Sequence, residues 1–333
     1  MPEVEKCAVF RMALRQYIFV TLTQTQGTLM TASRKPVLVF GATGRQGGSV
    51  VTALLTAGWP IRAFVRDLTS PKSQALRDAG VDLVQGTFDD TDMIRAAMEG
   101  VHGVFSVQPS SPGGVVSDED ELRFGVAVAD LSVESGIKHL VYSSTNAVGD
   151  TLTGMGHLDS KARIEAHINA LPITATIVRP ASFMELLVMP GFGLNEARFN
   201  FFAKPNQSIQ LLAVEDIGKF VAAIFAQPAR FGGKTLEIAS DTVTGAHLGA
   251  VFTEAAGRPI TYARFPDEVL ATNPFLRKLT DLLDEGRLAG NADLDALRKL
   301  NPELRSFRSW IAASGREAFR AALGTADAWA YKA

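Results

Sequence analysis

The spacing of apolar positions changes several times along the chain, and the changes mark its elements. Val37-Leu38-Val39-Phe40 is an unbroken apolar run, partly β-branched, with the length of a strand buried on both faces. Glycines stand at 41, 44 and 47, and Ser49-Val50-Val51-Thr52-Ala53-Leu54-Leu55 then has helical character. The alternation repeats. Residues 60–66, 81–84, 103–107, 139–143 and 173–178 read as further strands. Between them, Ser70-Pro71-Lys72 opens a helix that ends at Gly80, and Asp90 or Thr91 caps one that ends near Gly100. A longer helix runs from about Ser117 to Ser135. Strands alternating with helices predict an α/β fold, a doubly wound and mostly parallel sheet with right-handed crossovers. Such sheets bind ligands at the carboxyl ends of their strands, near the point where strand order reverses. The residues just after each strand are therefore the candidates for chemistry.

Beyond Arg179-Pro180 the pattern loosens. Residues 183–212 are rich in Phe, Met, Leu, Gly and Pro. A helix over 216–227, a strand over 234–239, a helix over 244–256, a strand over 259–264 and a helical tail from 266 follow. The expected organisation is a nucleotide-binding domain over 34–180 and a smaller, mixed substrate or lid domain over 181–333. A helix near 214–227 returns to the first domain. Residues 1–33 read as an N-terminal extension: a disordered lead-in, a start placed ahead of the true one near Met30, or a tail packed on the domain.

Composition narrows the classes. With 333 residues, about two domains are expected. A hydrophobic share of 47% suffices for a sizeable core, and a net charge of −2 gives no general attraction to nucleic acid or anionic lipid. Cys7 is the single cysteine, so no internal disulfide forms, and no Cys/His set has zinc spacing. A reducing, cytoplasmic setting is the expectation. The apolar stretch from Cys7 to Leu22 is too short and too charged to span a membrane, being broken by Arg11, Arg15 and Gln16. Glu3 and Glu5 stand where a signal peptide carries positive charge.

The chemistry starts in the glycine turn. Strand, glycine-rich turn and helix together point to dinucleotide binding by Gly41, Ala42, Thr43, Gly44, Arg45, Gln46 and Gly47. Gly41 permits the tight turn, Gly44 lets backbone approach a pyrophosphate, and Gly47 lets the helix pack near the strand. The helix N-terminus offers unpaired N–H groups and positive partial charge to the phosphates. No phosphate-binding G-x-x-x-x-G-K-[ST] sequence is present. Arg66, after the second strand, stands where an NAD-selective site carries a carboxylate; an arginine there, with Arg45 and more weakly Lys72, favours a 2′-phosphate and so NADP(H). Asp89 is a candidate for the adenine, with helix capping by Asp89 or Asp90 as the alternative. Gln108 and Pro109 fall beside the ribose or nicotinamide. Ser143, Ser144 and Thr145 are hydroxyls at a strand end, suited to a substrate carbonyl or a ribose, or to ending the strand. In a helix, His157 and Lys161 share one face. Lys161 would hydrogen-bond the nicotinamide ribose and lower a neighbouring acid's pKa, and His157 would supply or take a proton. A solvated Lys161, with Asp159 or Ser160 capping the helix after His157, is the plainer alternative.

From about Pro36 to Phe319 the chain resembles the NmrA-like family of atypical short-chain dehydrogenases/reductases. The matching stretches are Gly41-Ala42-Thr43-Gly44-Arg45-Gln46-Gly47-Gly48, Arg66, Tyr142-Ser143-Ser144, His157-Leu158-Asp159-Ser160-Lys161 and Arg179-Pro180-Ala181-Ser182-Phe183-Met184-Glu185. Val214-Glu215-Asp216-Ile217-Gly218 and the segment 293–302 followed by Trp310 complete them. The resemblance implies a Rossmann-type NADP-binding domain, a smaller C-terminal domain and a cleft between them. Two departures matter. Gly86-Thr87 replaces the Gly-Asp of many members, and the tyrosine of the usual Tyr-x-x-x-Lys pair is His157 while Lys161 is kept. Tyr142 does not fill that spacing.

Two functions follow from these residues. The first is an NADPH-dependent oxidoreductase acting on a quinone or other small apolar carbonyl, with Lys161, His157 and Ser143 catalytic and Phe183, Met184, Leu187, Phe199, Phe201 and Phe202 near its pocket or in the core. The second is a redox sensor of NADPH and NADP that binds a regulatory protein partner without turnover, through loops such as 108–116. Retained Lys161 and the post-strand hydroxyls favour the enzyme. An epimerase is disfavoured by the missing tyrosine. Neither reading calls for direct nucleic-acid or membrane contact, and the residues single out no oligomeric state.

Overall fold

The structure, a computed structural model, describes residues 34–324. The expectation for the extension over 1–33 lies outside them. The first strand, β1 (Val37–Val39), is followed by α1 (Arg45–Thr56), β2 (Ile61–Val65), α2 (Pro71–Asp78), β3 (Asp82–Gln85) and α3 (Thr91–Met98). Next come β4 (Gly103–Ser106), α4 (Asp118–Glu134), β5 (His139–Ser143), α5 (Gly156–Ala170) and β6 (Ala175–Pro180). The second half contains β7 (Ser182–Phe183), β8 (Arg198–Phe201), β9 (Ser208–Leu212), α6 (Val214–Ala226), α7 (Pro228–Phe231), β10 (Lys234–Ile238), β11 (Asp241–Thr244), α8 (Gly245–Ala256) and β12 (Thr261–Arg264). It ends in α9 (Asp267–Thr272), α10 (Pro274–Asp284), α11 (Leu294–Leu300), α12 (Phe307–Ala312) and α13 (Arg316–Gly324).

Seven strands form one sheet in the order β10-β6-β5-β4-β1-β2-β3, with every neighbouring pair parallel. Strand order reverses between β1 and β4, so the carboxyl ends of these two strands border the crevice. The apolar run explains why β1 is central. Val37 and Val39 face one core with Val50, Leu54, Ile217 and Phe220, whereas Leu38 and Phe40 face another with Ile94, Val128 and Ile164. Side chains alternate across a strand, so an unbroken apolar run fills both faces. Helices α1 and α6 thus cover one face, and α3, α4 and α5 the other.

Helix α6 packs against α1. The approach is close: a Cβ on Gly218 would lie 2.1 Å from the Ser49 carbonyl oxygen. Ser49 Oγ accepts from the Gly218 N–H and donates to the Glu215 carbonyl, both at 3.0 Å. Strand β6 starts at Ala175, later than the expected 173, and runs on to Pro180. The N–H of Ile173 is spent on the Leu171 carbonyl, which leaves that residue in the preceding turn. The second half adds a three-stranded sheet, β11-β9-β7, and a parallel pair, β12-β8. Met184, Leu187, Phe199 and Phe201 are buried in its core with Phe252 and Phe307. Phe183 and Phe202 are half-buried at the edges of cores. Among the described residues, no helix is long and apolar enough to cross a membrane, and no cluster of His, Cys, Asp and Glu is suited to a metal.

Asp216, fully buried on α6, ties that helix to the strand end after β10 and to the segment after α11. Its carboxylate accepts from Ser240 Oγ at 2.7 Å, Asn301 Nδ2 at 2.8 Å and the Arg305 N–H at 3.2 Å. Removing it orphans three donors, two of them buried. Asp216→Ala should lower the unfolding free energy by roughly 3 kcal/mol. Urea denaturation followed by circular dichroism measures this, and a loss below about 1 kcal/mol would place the burden elsewhere.

Candidate functional site

At the carboxyl end of β1 the chain turns through Gly41 with φ +66°, the left-handed region in which a side chain is strained. A Cβ on Gly47 would lie 2.3 Å from the Gly41 carbonyl oxygen, so helix and strand touch backbone to backbone. Gly44 is the N-cap of α1 and supplies no side-chain acceptor, so the first-turn N–H groups lack the usual cap. Ala42 is buried, Thr43 and Gln46 half-buried, and Gly44 and Arg45 exposed. The result is a helix N-terminus offered to an anion at the point where the sheet reverses.

Other strand ends supply the polar groups around this turn. After β4, Gln108 is buried and donates to Ser106 Oγ at 2.7 Å, while its Oε1 is buried with no hydrogen-bond partner. At the end of β5, Ser143 Oγ donates to Gln46 Oε1 at 2.7 Å and ties that strand to the glycine turn. After β2, Arg66 is exposed and makes no ion pair within 4.0 Å among the described residues. Lys72 donates to the Thr43 carbonyl at 3.1 Å. The charge of Arg45 acts on Glu185, whose carboxylate accepts from the Val214 N–H at 3.1 Å and whose pKa is raised by burial. Asp89 is exposed and paired with Arg123 at 2.7 Å, whereas Asp90 caps α3 by accepting from the Met93 N–H at 3.0 Å.

Helix α5 begins at Gly156, with Met155 as its N-cap, so His157 is already helical and neither Asp159 nor Ser160 caps the start. Asp159 instead accepts from the N–H groups of Thr153 at 2.7 Å and Gly154 at 2.9 Å and folds the preceding loop. The His157 ring lies 5.6 Å from that of Phe275 on α10. Burial lowers its pKa to about 4, the charge of Lys161 adds to this, and Asp118 and Asp159 oppose it. At neutral pH His157 is therefore a neutral imidazole.

Lys161 is committed in full. Its ammonium donates to a Glu121 carboxylate oxygen, to Ser110 Oγ at 3.2 Å and to the His157 carbonyl at 3.0 Å. An ammonium carries three donors, and all three are used. Glu121 escaped the sequence reading because it sits in the acidic run 118–121 that opens α4. Its spacing from Phe124, Gly125 and Val128 puts an acid on the buried stripe of that helix, a signal that could have found it. Glu165 is a second such acid. It accepts from Ser144 Oγ and pairs with Arg179 at 2.6 Å. The Tyr142 hydroxyl is buried near both acids without a hydrogen-bond partner, and burial raises its pKa. Beside the loop after β5, a cavity of about 220 Å³ is lined by Asn146, Val148, Glu237, Arg287 and Asn291. A separate cavity of about 270 Å³ lies between α8, α12 and α13, against Val251, Ile311 and Phe319.

The pKa of His157 fixes a pH dependence. Its folded value of about 4 lies below the ordinary 6.5, and buried His139 is lowered to about 4 as well, by burial and then by His102. Between these values the unfolded chain holds more protons, so the stability contribution is whole above 6.5 and is lost as pH falls toward 4. The urea midpoint should fall over that window. Proton NMR of the His157 ring should titrate near pH 4, and a midpoint near 6.5 would contradict its burial.

The comparisons with known proteins agree with this geometry. The sequence profile of the NmrA-like family matches residues 33–301. The NmrA-like family domain-containing oxidoreductase malD of Malbranchea aurantiaca is 31% identical over 263 residues, covering 71% of this chain and 77% of that protein. The fold is similar to that of NmrA, a negative transcriptional regulator solved in complex with NADP (TM-score 0.70, 20% identity, 87% of this chain and 98% of that one). NmrA has also been solved with NAD. The NADPH-dependent quinone oxidoreductase QOR2 of Escherichia coli is a further structural neighbour (TM-score 0.65, 21% identity, 84% of this chain and 99% of that one). An NmrA-like match across most of its length, on a Rossmann-type sheet with a glycine turn at the reversal point, makes this chain a member of the NmrA-like family.

Proposed function

We propose that the chain is an NADPH-dependent oxidoreductase acting on a quinone or other small apolar carbonyl. Residues 34–180 hold the dinucleotide in this reading, and 181–324 contribute the substrate side. The carrying observation is the uncapped N-terminus of α1 beside the buried, unpartnered Oε1 of Gln108. A buried acceptor without a donor calls for one, and a ribose hydroxyl or carboxamide supplies it. Gly41, Ala42, Thr43, Gly44, Arg45, Gln46 and Gly47 take the pyrophosphate, through backbone N–H groups and the helix dipole. Unpaired Arg66, with Arg45, takes a 2′-phosphate, which supports NADPH over NADH. Asp89 reaches the adenine only by leaving Arg123.

The bound nicotinamide supplies a hydride; the chain's own groups orient the acceptor and manage the proton. Ser143 has committed its proton to Gln46 and keeps oxygen lone pairs to accept from a substrate or ribose hydroxyl. His157, neutral at pH 7, donates a hydrogen bond and holds no readily lost proton. This favours an acceptor whose reduced oxygen needs little acid assistance. A phenol-type oxygen ionises near pKa 10, as tyrosine does, and an aliphatic alkoxide is far more basic. The likeness to malD supports oxidoreductase chemistry, and QOR2 is a protein of the same fold that reduces quinones with NADPH. The regulatory reading draws on another observation, the saturated Lys161 tied to the loop over 108–116, and on the likeness to the regulator NmrA.

NADPH consumption against a panel of quinones, aldehydes and ketones, followed by loss of nicotinamide absorbance, tests the proposal. Turnover with quinones and none with aliphatic ketones is expected. Tight NADPH binding without turnover on any acceptor would favour the sensor. Arg66→Ala should weaken NADPH binding about tenfold and leave NADH unchanged. Equal losses for both cofactors would remove the role given to Arg66.

A further inference from the structure

Glu121, Lys161 and Ser110 form a closed triangle on three separate segments, α4, α5 and the loop after β4. Lys161 donates to a Glu121 carboxylate oxygen and to Ser110 Oγ at 3.2 Å, and Ser110 Oγ donates to Glu121 Oε2 at 3.0 Å. The Glu121 side chain is 1% exposed and that of Lys161 15%. A carboxylate this deep is costly without a cation, and the pairing fixes the ammonium against it. The third donor of Lys161 is held within its own helix, by the His157 carbonyl. Of the three contacts, the one to Ser110 is the longest, and its acceptor is neither a carboxylate nor part of the lysine's own helix but a loop hydroxyl.

We propose that Glu121 is a positioning residue for Lys161, and that Ser110 occupies the donor of Lys161 that a ribose hydroxyl of the dinucleotide takes over. The inference rests on the dinucleotide reading given above. A saturated ammonium binds a new acceptor only by releasing an old one. Glu121 holds the charge in place whether or not the dinucleotide is bound, and its partner at Ser110 is exchanged. Ser110 therefore competes with the dinucleotide for Lys161, and the binding-competent fraction is the fraction in which Ser110 has let go. Ser111, whose hydroxyl donates to Asp118, keeps the loop attached after that release.

The two residues then act with opposite signs, which a purely structural role does not produce. Glu121→Gln keeps the size of the side chain and removes its charge, and it should weaken NADPH binding about tenfold. Ser110→Ala removes the competitor and should tighten NADPH binding by at least about twofold. Adding Glu121→Gln to Lys161→Ala should cost nothing further, because Glu121 acts through Lys161. Fluorescence titration of the full chain with NADPH gives each dissociation constant, and thermal unfolding without NADPH verifies that each variant is folded. Ser110→Ala binding that is weaker or unchanged overturns the proposal, as does folded Glu121→Gln that binds like wild type. The Ser110→Ala result stands alone if Glu121→Gln does not fold. Wild type that binds no NADPH instead overturns the dinucleotide reading itself.

Discussion

The contact between Gly47 and Gly41 sets the rest of the site. With no room for a Cβ between them, the first turn of α1 lies against the end of β1, and the helix N-terminus is delivered to the carboxyl edge of the sheet. The edge is in turn fixed by burial on both faces: Val37 and Val39 look toward α1 and α6, Leu38 and Phe40 toward α3, α4 and α5. Anything larger than glycine at 47 pushes the helix off the strand, and the open N–H groups move with it. The glycine spacing is thus a packing constraint first and a binding device as its consequence.

Around that edge the polar groups divide into two kinds. Among the described residues, the Arg66 guanidinium makes no ion pair and the Oε1 of Gln108 has no hydrogen-bond partner. Lys161, Ser143 and Asp89 are each engaged, with Glu121, Gln46 and Arg123. A ligand meets the first kind directly and must exchange a contact at Lys161, whereas Ser143 and Asp89 keep acceptor lone pairs beside the contacts they make. The division explains how one family scaffold supports both turnover and sensing as readings of the same residues. On the proposed reading, the dinucleotide meets the uncapped turn and Gln108, while the groups that would handle a proton are held by internal bonds and include a neutral His157.

The sheet and the turn were legible because they rest on local rules. Unbroken apolar runs marked the strands, and Ser70, Asp90 and Ser117 marked helix starts where the structure has them. Of the two readings of the start of α5, the one with His157 inside the helix holds, because Asp159 serves the loop before the helix rather than capping it. Lys161 was read toward a ligand because its partners lie 40 and 51 residues away, on segments the sequence cannot juxtapose. Buried Glu121 and Glu165 were hidden for the same reason, although each stands on an apolar helical stripe. For the phenylalanines over 183–202 the core is the plainer reading from sequence, and their depth in the second half places most of them there.

The most direct test of the account is to map where the dinucleotide sits. Backbone amide NMR of the full chain, recorded while NADPH is added, reports each N–H separately. The account predicts the largest shifts at Ala42–Gly47, with smaller ones at Arg66, Gln108 and Ser143. A silent glycine turn, with the shifts gathered around the cavity of Val251, Ile311 and Phe319, would contradict it.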